Sequence, residues 1–284
     1  MTDTSLSAPT RTVDVDGVPF AYRDLGQGSG TPIVLLHHFT AVIDDWDPRI
    51  LDGLAGSHRV IAFDNRGVGG TGGETPKTVG EMADDAVAFI SALGLTKVHL
   101  LGFSMGGFVA QVIAIRHPDL IAKLILAGTG PAGTGGEPGG FAAMVQGAAQ
   151  KAAASGKHIK HLLFFSPTPS SQAAGDAFLA RLQERTEDRV PPLRQEAMMA
   201  HIAAISAWAQ DDSSSLSSVQ HPTFIANGDD DTMVPTPLSL ELRKQIANSR
   251  LSIYPDAGHG GIFQYHDLFV EQTLDFLEEA ASAA

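Results

Sequence analysis

A serine flanked by glycines stands in Gly102-Phe103-Ser104-Met105-Gly106-Gly107, directly after the apolar run Val98 to Phe103 and directly before a helical run that opens at Phe108. A serine hydroxyl is a weak nucleophile at neutral pH. It attacks a carbonyl carbon only when a base takes its proton and N–H donors receive the oxyanion that develops. A sharp strand-to-helix turn aims the first N–H groups of the helix at the reacting atom. It also needs small neighbours, because the backbone folds back on itself. Gly102 and Gly106 occupy those places. The bare pattern Gly-x-Ser-x-Gly also occurs in ordinary glycine-rich turns, so the strand-to-helix junction is what makes Ser104 the candidate nucleophile.

The base needs an acid to orient it, and the motif predicts the chain order serine, acid, histidine. After an apolar run at Pro222 to Ala226 comes Asn227-Gly228-Asp229-Asp230-Asp231-Thr232-Met233-Val234-Pro235, a loop with three adjacent carboxylates. After a further run at Leu251 to Tyr254 comes Pro255-Asp256-Ala257-Gly258-His259-Gly260-Gly261. Among 11 histidines, His259 alone lies in a small-residue loop between a late strand and the last helix, which gives its imidazole room to reach Ser104. His58, His99, His117, His201 and His266 are expected at surface or boundary positions. His158 and His161 could share a helix face, but without a further ligand they make a poor zinc site, and no metal is expected.

The elements that must carry these residues alternate between short apolar runs and amphipathic helices, the signature of a mostly parallel sheet covered on both faces. Arg11 to Val15 and Pro19 to Arg23 read as an antiparallel edge hairpin turning at Asp16-Gly17. Pro32 to His37, Val60 to Phe63, Val98 to Phe103, Leu120 to Leu126 and Pro222 to Ala226 read as buried strands. Val79 to Leu93 and Phe263 to Glu279 read as helices. The alternation breaks between Thr129 and Val219. That stretch opens with a glycine-rich hinge and continues as alanine-rich helical sequence, giving a core of residues 1–128 and 220–284 and a helical cap of residues 129–219.

A chain of 284 residues with 43% hydrophobic and 18% charged residues can bury a large core, and it is too apolar to be disordered. Its net charge of -13 repels phosphate backbones, which argues against a nucleic-acid partner. The absence of cysteine removes thiolate chemistry and disulfides. The polar start and the lack of a long apolar run argue against a membrane partner and lead us to expect a soluble, cytoplasmic protein. Gly67-Val68-Gly69-Gly70-Thr71-Gly72 satisfies a dinucleotide fingerprint, but Thr75-Pro76-Lys77 delays the helix that a pyrophosphate would need, and no cofactor is expected.

Taken together, His37-His38, Asp64-Asn65-Arg66-Gly67-Val68-Gly69, Gly102 to Gly106, Gly228 to Pro235 and Gly258-His259 resemble, in order, five motifs of the α/β-hydrolase fold superfamily. The resemblance covers nearly the whole chain and is closest to the esterase and cofactor-free haloperoxidase-like branch. It implies an α/β fold, a mostly parallel central sheet flanked by helices with a helical cap insertion. It also implies Asp231 as the acid, since that residue alone lies three after Gly228 and four before Pro235. Asp229 and Asp230 are then turn-forming or solvated. The backbone N–H groups of Phe39 and Met105 match the family's oxyanion donors. One departure is His38, where the family usually carries glycine.

Such a protein is expected to cleave a small-molecule carboxylic ester or lactone through an acyl-enzyme on Ser104, His259 and Asp231. The alternatives are perhydrolysis, carbon-carbon bond hydrolysis as in relatives that also carry Ser-Met-Gly-Gly, and a non-catalytic ligand-binding role. For the substrate pocket, His38, Phe103, Phe141, Phe164 and Trp208 are the candidates, with Met144, Phe165, Met198 and Met199 as further apolar side chains at helical spacings.

Overall fold

In the computed structural model, which describes residues 3–135, 137, 139–212 and 215–279, the chain opens with a hairpin. Strand β1 (Arg11–Val15) pairs antiparallel with β2 (Val18–Leu25). The connecting Asp16 and Gly17 have φ of 53° and 79°, the left-handed pair that a two-residue turn of this kind uses. Strand β2 lies antiparallel to β4 (Val60–Phe63), and every later pairing is parallel. With β3 (Ile33–Leu36), β5 (Val98–Phe103), β6 (Ile121–Ala127), β7 (Thr223–Gly228) and β8 (Ser249–Tyr254), the described residues form an eight-stranded sheet in the order β1-β2-β4-β3-β5-β6-β7-β8.

Strands β3 to β7 are buried almost throughout, which is why they read as mainly apolar runs despite His99 in β5 and Lys123 in β6, whereas edge strand β8 is half-buried and carries Ser249, Arg250 and Ser252. Alternate residues separate the two faces. Val34, Leu36, Val98 and Leu100 pack with Met82 and Phe89 of α2 (Val79–Ala92) and with Val109 and Ile113 of α3 (Met105–Arg116). Ile33, Leu35, Leu101 and Phe103 pack with Ile50 and Leu54 of α1 (Pro48–Ala55) and with Phe269 and Phe276 of α10 (His266–Glu278). Each such fully buried side chain contributes roughly 1.5–3 kcal/mol.

Between β6 and β7 the described residues form the helices α4 (Gly140–Ser155), α5 (Ile159–Phe164), α6 (Pro169–Arg181) and α7 (Gln195–Gln210). The stretch also carries a short 3-10 turn, and no strand interrupts it among the described residues. Helix α8 (Pro237–Gln245) then leads to the edge strand. The last helical run differs from the single helix its periodicity suggests. It divides into α9 (Gly261–Gln264) and α10, because Tyr265 leaves helical geometry, stacks on Tyr254 at 5.3 Å and donates its hydroxyl to the Pro255 carbonyl. His99 is also not at a boundary. It is buried on β5, and burial lowers its pKa to about 4.

The connection out of β3 runs to β4 on one side, whereas the connection out of β5 runs to β6 on the other side of the sheet. Open α/β sheets place their crevice outside the carboxyl ends of the strands at such a switch point. The loops after β3, β5, β7 and β8 carry Phe39, Ser104, Asp231 and His259 respectively. No helix among the described residues is long and apolar enough to cross a membrane.

Candidate active site

Ser104 joins β5 to α3 with φ 56° and ψ -119°, a conformation that costs a non-glycine residue about 1–3 kcal/mol. Hydrogen bonds hold it there. Its N–H donates to the Ala127 carbonyl at 2.9 Å, and its own carbonyl accepts from the Gly107 N–H at 2.8 Å and from the Thr129 hydroxyl at 2.9 Å. A Cβ at Gly102 would overlap the Gly106 carbonyl, and one at Gly106 would overlap the Leu36 carbonyl. Both obstacles are backbone, and β3 is paired on both sides. Gly106→Ala is therefore expected to cost roughly 3–5 kcal/mol of folding stability. A Cβ at Gly147 on α4 meets nothing, so Gly147→Ala should be neutral or stabilising by up to ~1 kcal/mol. Urea unfolding of the two variants side by side checks both signs.

His259 and Asp231 meet across neighbouring loops. The Nδ1–H of His259 donates to Asp231 Oδ2 at 2.8 Å, and both side chains are buried. The other Asp231 oxygen, Oδ1, accepts from the N–H groups of Met233 and Val234, each at 2.9 Å. The two loops are tied by backbone bonds from Asp229 N–H to the Tyr254 carbonyl and from Asp230 N–H to the Ala257 carbonyl. Asp229 spends its carboxylate on the Ala257 N–H, a turn-forming use. His259 Nε2 is buried with no hydrogen-bond partner among the described residues, and His259 lines the same cavity as Ser104. An imidazole fixed in this way offers Nε2 as a base, and it gains a neighbouring carboxylate for the charge that protonation creates.

The loop after β3 supplies the opposite wall. The His38 carbonyl accepts from the Ala41 N–H at 3.1 Å, and the Phe39 carbonyl accepts from His38 Nδ1–H at 2.8 Å and from the Thr40 hydroxyl at 2.7 Å. The N–H of Phe39 has no partner within the described protein, and that of Met105 opens α3 with the positive end of the helix dipole behind it.

Ser104 stands at the meeting of two chambers. One, of about 560 Å³, is lined by Phe108, Phe141, Met144, Ile205, Trp208 and Leu238 and is predominantly apolar. The other, of about 610 Å³, holds His38, Phe39, His259 and Phe164 together with Lys160 and Asp45. Lys160 on α5 forms an ion pair with Asp45, joining the inserted helices to the loop before α1. Burial opposes the Asp45 charge, but the Lys160 ammonium, His38 and the Val42 N–H together hold the carboxyl below its usual range. Sequence reasoning missed this pair, since 115 residues separate its members. It also missed Phe108, Met233, Val234 and Leu238, although Met233 and Val234 stand in the same loop as Asp231.

Phe103 does not line either chamber, contrary to expectation. It is fully buried beneath them, 5.0 Å from the His259 ring and 5.4 Å from the His38 ring, because the strand residue before the serine points into the sheet's other face. Phe165 is likewise core, and Met199 is exposed, whereas Met198 reaches the second chamber. His201 is fully buried rather than peripheral. The signal was available, since Ala197, Ala200, Ala204 and Trp208 share a buried stripe of α7 that His201 continues. His158 caps α5 through Nδ1, while His161 pairs with Asp176, so the two face different partners.

The glycine run Gly67 to Gly72 closes on itself through a 2.8 Å bond between its first N–H and last carbonyl. The buried Asp64 carboxylate accepts from the Ile43 and Gly70 N–H groups, and burial raises its pKa to about 7. The loop interior is filled by a carboxylate, and α2 starts only at Val79, capped by Thr78.

The model of the alpha/beta hydrolase fold family matches residues 31–264. The chain belongs to this family. It is 31% identical over 276 residues to a non-heme haloperoxidase of Rhodococcus erythropolis, covering 93% of this chain and 97% of that protein. It is 27% identical to the 2-hydroxy-6-oxononadienedioate/2-hydroxy-6-oxononatrienedioate hydrolase of Paraburkholderia xenovorans, covering 98% and 97%. An alpha/beta hydrolase fold protein from Chitinophaga pinensis superposes with a TM-score of 0.91 at 39% identity, covering 98% of this chain and all of that one. The protein is thus an α/β hydrolase with enzyme relatives in the haloperoxidase-like branch.

Proposed function

We propose that this α/β hydrolase cleaves carboxylic esters or lactones through an acyl-enzyme, with Ser104 as nucleophile, His259 as base, Asp231 as its orienting acid and the Phe39 and Met105 N–H groups as the oxyanion hole. The observation that carries the reading is the 2.8 Å bond from His259 Nδ1 to Asp231, which leaves a bare Nε2 in the cavity that Ser104 shares. Ser104 Oγ attacks the carbonyl carbon as its proton passes to Nε2. The tetrahedral oxyanion is received by the two N–H groups, and the proton moves to the departing alkoxide as the acyl-enzyme forms. Water then repeats the sequence, giving its proton to Nε2 and releasing the carboxylic acid.

His259 lines only the second chamber, so the leaving group that it protonates belongs there, and the apolar chamber takes the acyl group. Filling that chamber with Met144→Trp is expected to lower kcat/KM for p-nitrophenyl octanoate by about tenfold or more, while the acetate ester stays within about threefold. A chain-length series on both proteins reads this directly, and a uniform loss across the series would remove the acyl group from the chamber.

A second reading uses the same acyl-enzyme with hydrogen peroxide in place of water, releasing a peroxyacid and free Ser104. The similarity to a protein named as a haloperoxidase favours it. Initial rates of p-nitrophenyl butyrate hydrolysis and of peroxyacetic acid formation from acetate and peroxide decide between them. Ester turnover at least tenfold faster supports the first reading. The reverse order, or activity only on a vinylogous diketone, overturns it.

A further inference from the structure

We infer that His38 and His201 form a frame that sets the direction of the Phe39 N–H, which makes His201, on a helix inserted far along the chain, a positioning residue for the oxyanion hole. The inference rests on the acyl-transfer reading above. Thr40 has φ 63°, a left-handed value that a β-branched residue keeps only when its surroundings over-determine it. The determinants are visible. The peptide between Phe39 and Thr40 is held at both ends, its carbonyl by His38 Nδ1–H and the Thr40 hydroxyl, its N–H by His201 Nδ1 at 3.3 Å. With the His38 carbonyl also engaged by Ala41, the Phe39 N–H is the polar group left over, and its direction follows from the others.

His201 has no other hydrogen-bonding reason to be where it is. It is fully buried on α7 in a stripe of Ala197, Ala200, Ala204 and Trp208, and its Nε2 finds no partner among the described residues. Leaving a ring nitrogen unsatisfied in such a place costs about 1–3 kcal/mol, so an aliphatic side chain would suit packing better. Burial, with the nearby His37 adding to it, lowers the His201 pKa to about 4. The ring is therefore neutral at pH 7, carrying its proton on Nε2 and a lone pair on Nδ1 for the Thr40 N–H. The Phe39 ring lies 6.2 Å from the His201 ring and edge-on to Phe141 at 5.1 Å, so α7 and α4 both brace the residue whose N–H matters. His38 is clamped edge-on between Phe103 and Phe164, at 5.4 Å and 5.2 Å.

The test uses the full chain and compares wild type with His201→Leu, which removes the acceptor, and His201→Asn, whose Oδ1 can take the place of Nδ1. Each is measured for kcat and KM on p-nitrophenyl butyrate and for inhibition by an alkyl trifluoromethyl ketone, whose hemiketal oxygen occupies the hole. Expected are a fall in kcat of about 10- to 100-fold in His201→Leu with KM within threefold, and ketone binding weakened by a similar factor. His201→Asn should recover kcat to within about threefold of wild type. His201→Phe serves as the acceptor-free variant if His201→Leu does not unfold cooperatively. An acceptor-free variant with wild-type kcat and ketone affinity, beside an inactive Ser104→Ala, overturns the positioning role and leaves the acyl-transfer reading standing. Equal losses in the Leu and Asn variants also overturn it, as a packing effect. Full activity in Ser104→Ala overturns the reading on which it rests.

Discussion

Ser104→Ala is expected to lower kcat for ester hydrolysis by about 10⁵- to 10⁶-fold and to leave the protein folded. The magnitude follows from removing the only atom that can form the acyl-enzyme, after which binding and the N–H donors provide what catalysis remains. The fold should tolerate the change because alanine takes the strained φ of 56° no worse than serine. The bonds that pin the turn also run through the backbone of residue 104 rather than its hydroxyl. Initial rates on p-nitrophenyl butyrate, together with the thermal midpoint, separate loss of chemistry from loss of structure. Equal rates in both proteins would remove Ser104 from the reaction.

Asp231→Asn should cost about 10⁴-fold in kcat with little change in stability. Asp231 Oδ1 accepts two backbone N–H groups, from Met233 and Val234, so an asparagine keeps its carbonyl oxygen on that side. Its amide nitrogen then faces His259 Nδ1, where the carboxylate stood. Two donors cannot face each other, so the imidazole shifts its proton to Nε2, the nitrogen that receives the Ser104 proton in the proposed mechanism. The geometry survives and the tautomer is wrong. Activity within tenfold of wild type would mean that another group orients the histidine.

What could be read before the structure was whatever lies in local backbone chemistry. The elbow at Ser104 is a run of small residues between two periodicities, and the hairpin at Asp16-Gly17 is a dipeptide with its own turn geometry. Asp231 stood out only through the spacing of the glycine and proline around it. The two chambers were less visible, because α4, α5 and α7 supply much of their lining and nothing in a single sequence says which side of an alanine-rich helix meets which loop. His201 shows both sides of this. Its burial was readable from the stripe it continues on α7, but its bond to Thr40 spans 161 residues. Phe103 failed for another reason, since strand alternation sends the residue before the serine under the site rather than into it.

The Phe164 carbonyl accepts the Gly260 N–H at 2.7 Å, and the Phe164 ring lies 5.4 Å from that of His259. The end of α5 is thus part of the support of His259, the proposed base, although it belongs to the inserted helices. Grafting residues 140–210 from a relative to change substrate choice would exchange this support as well. Chimeras that keep Phe164 and its hydrogen bond should separate selectivity from turnover, whereas wholesale swaps would alter both at once.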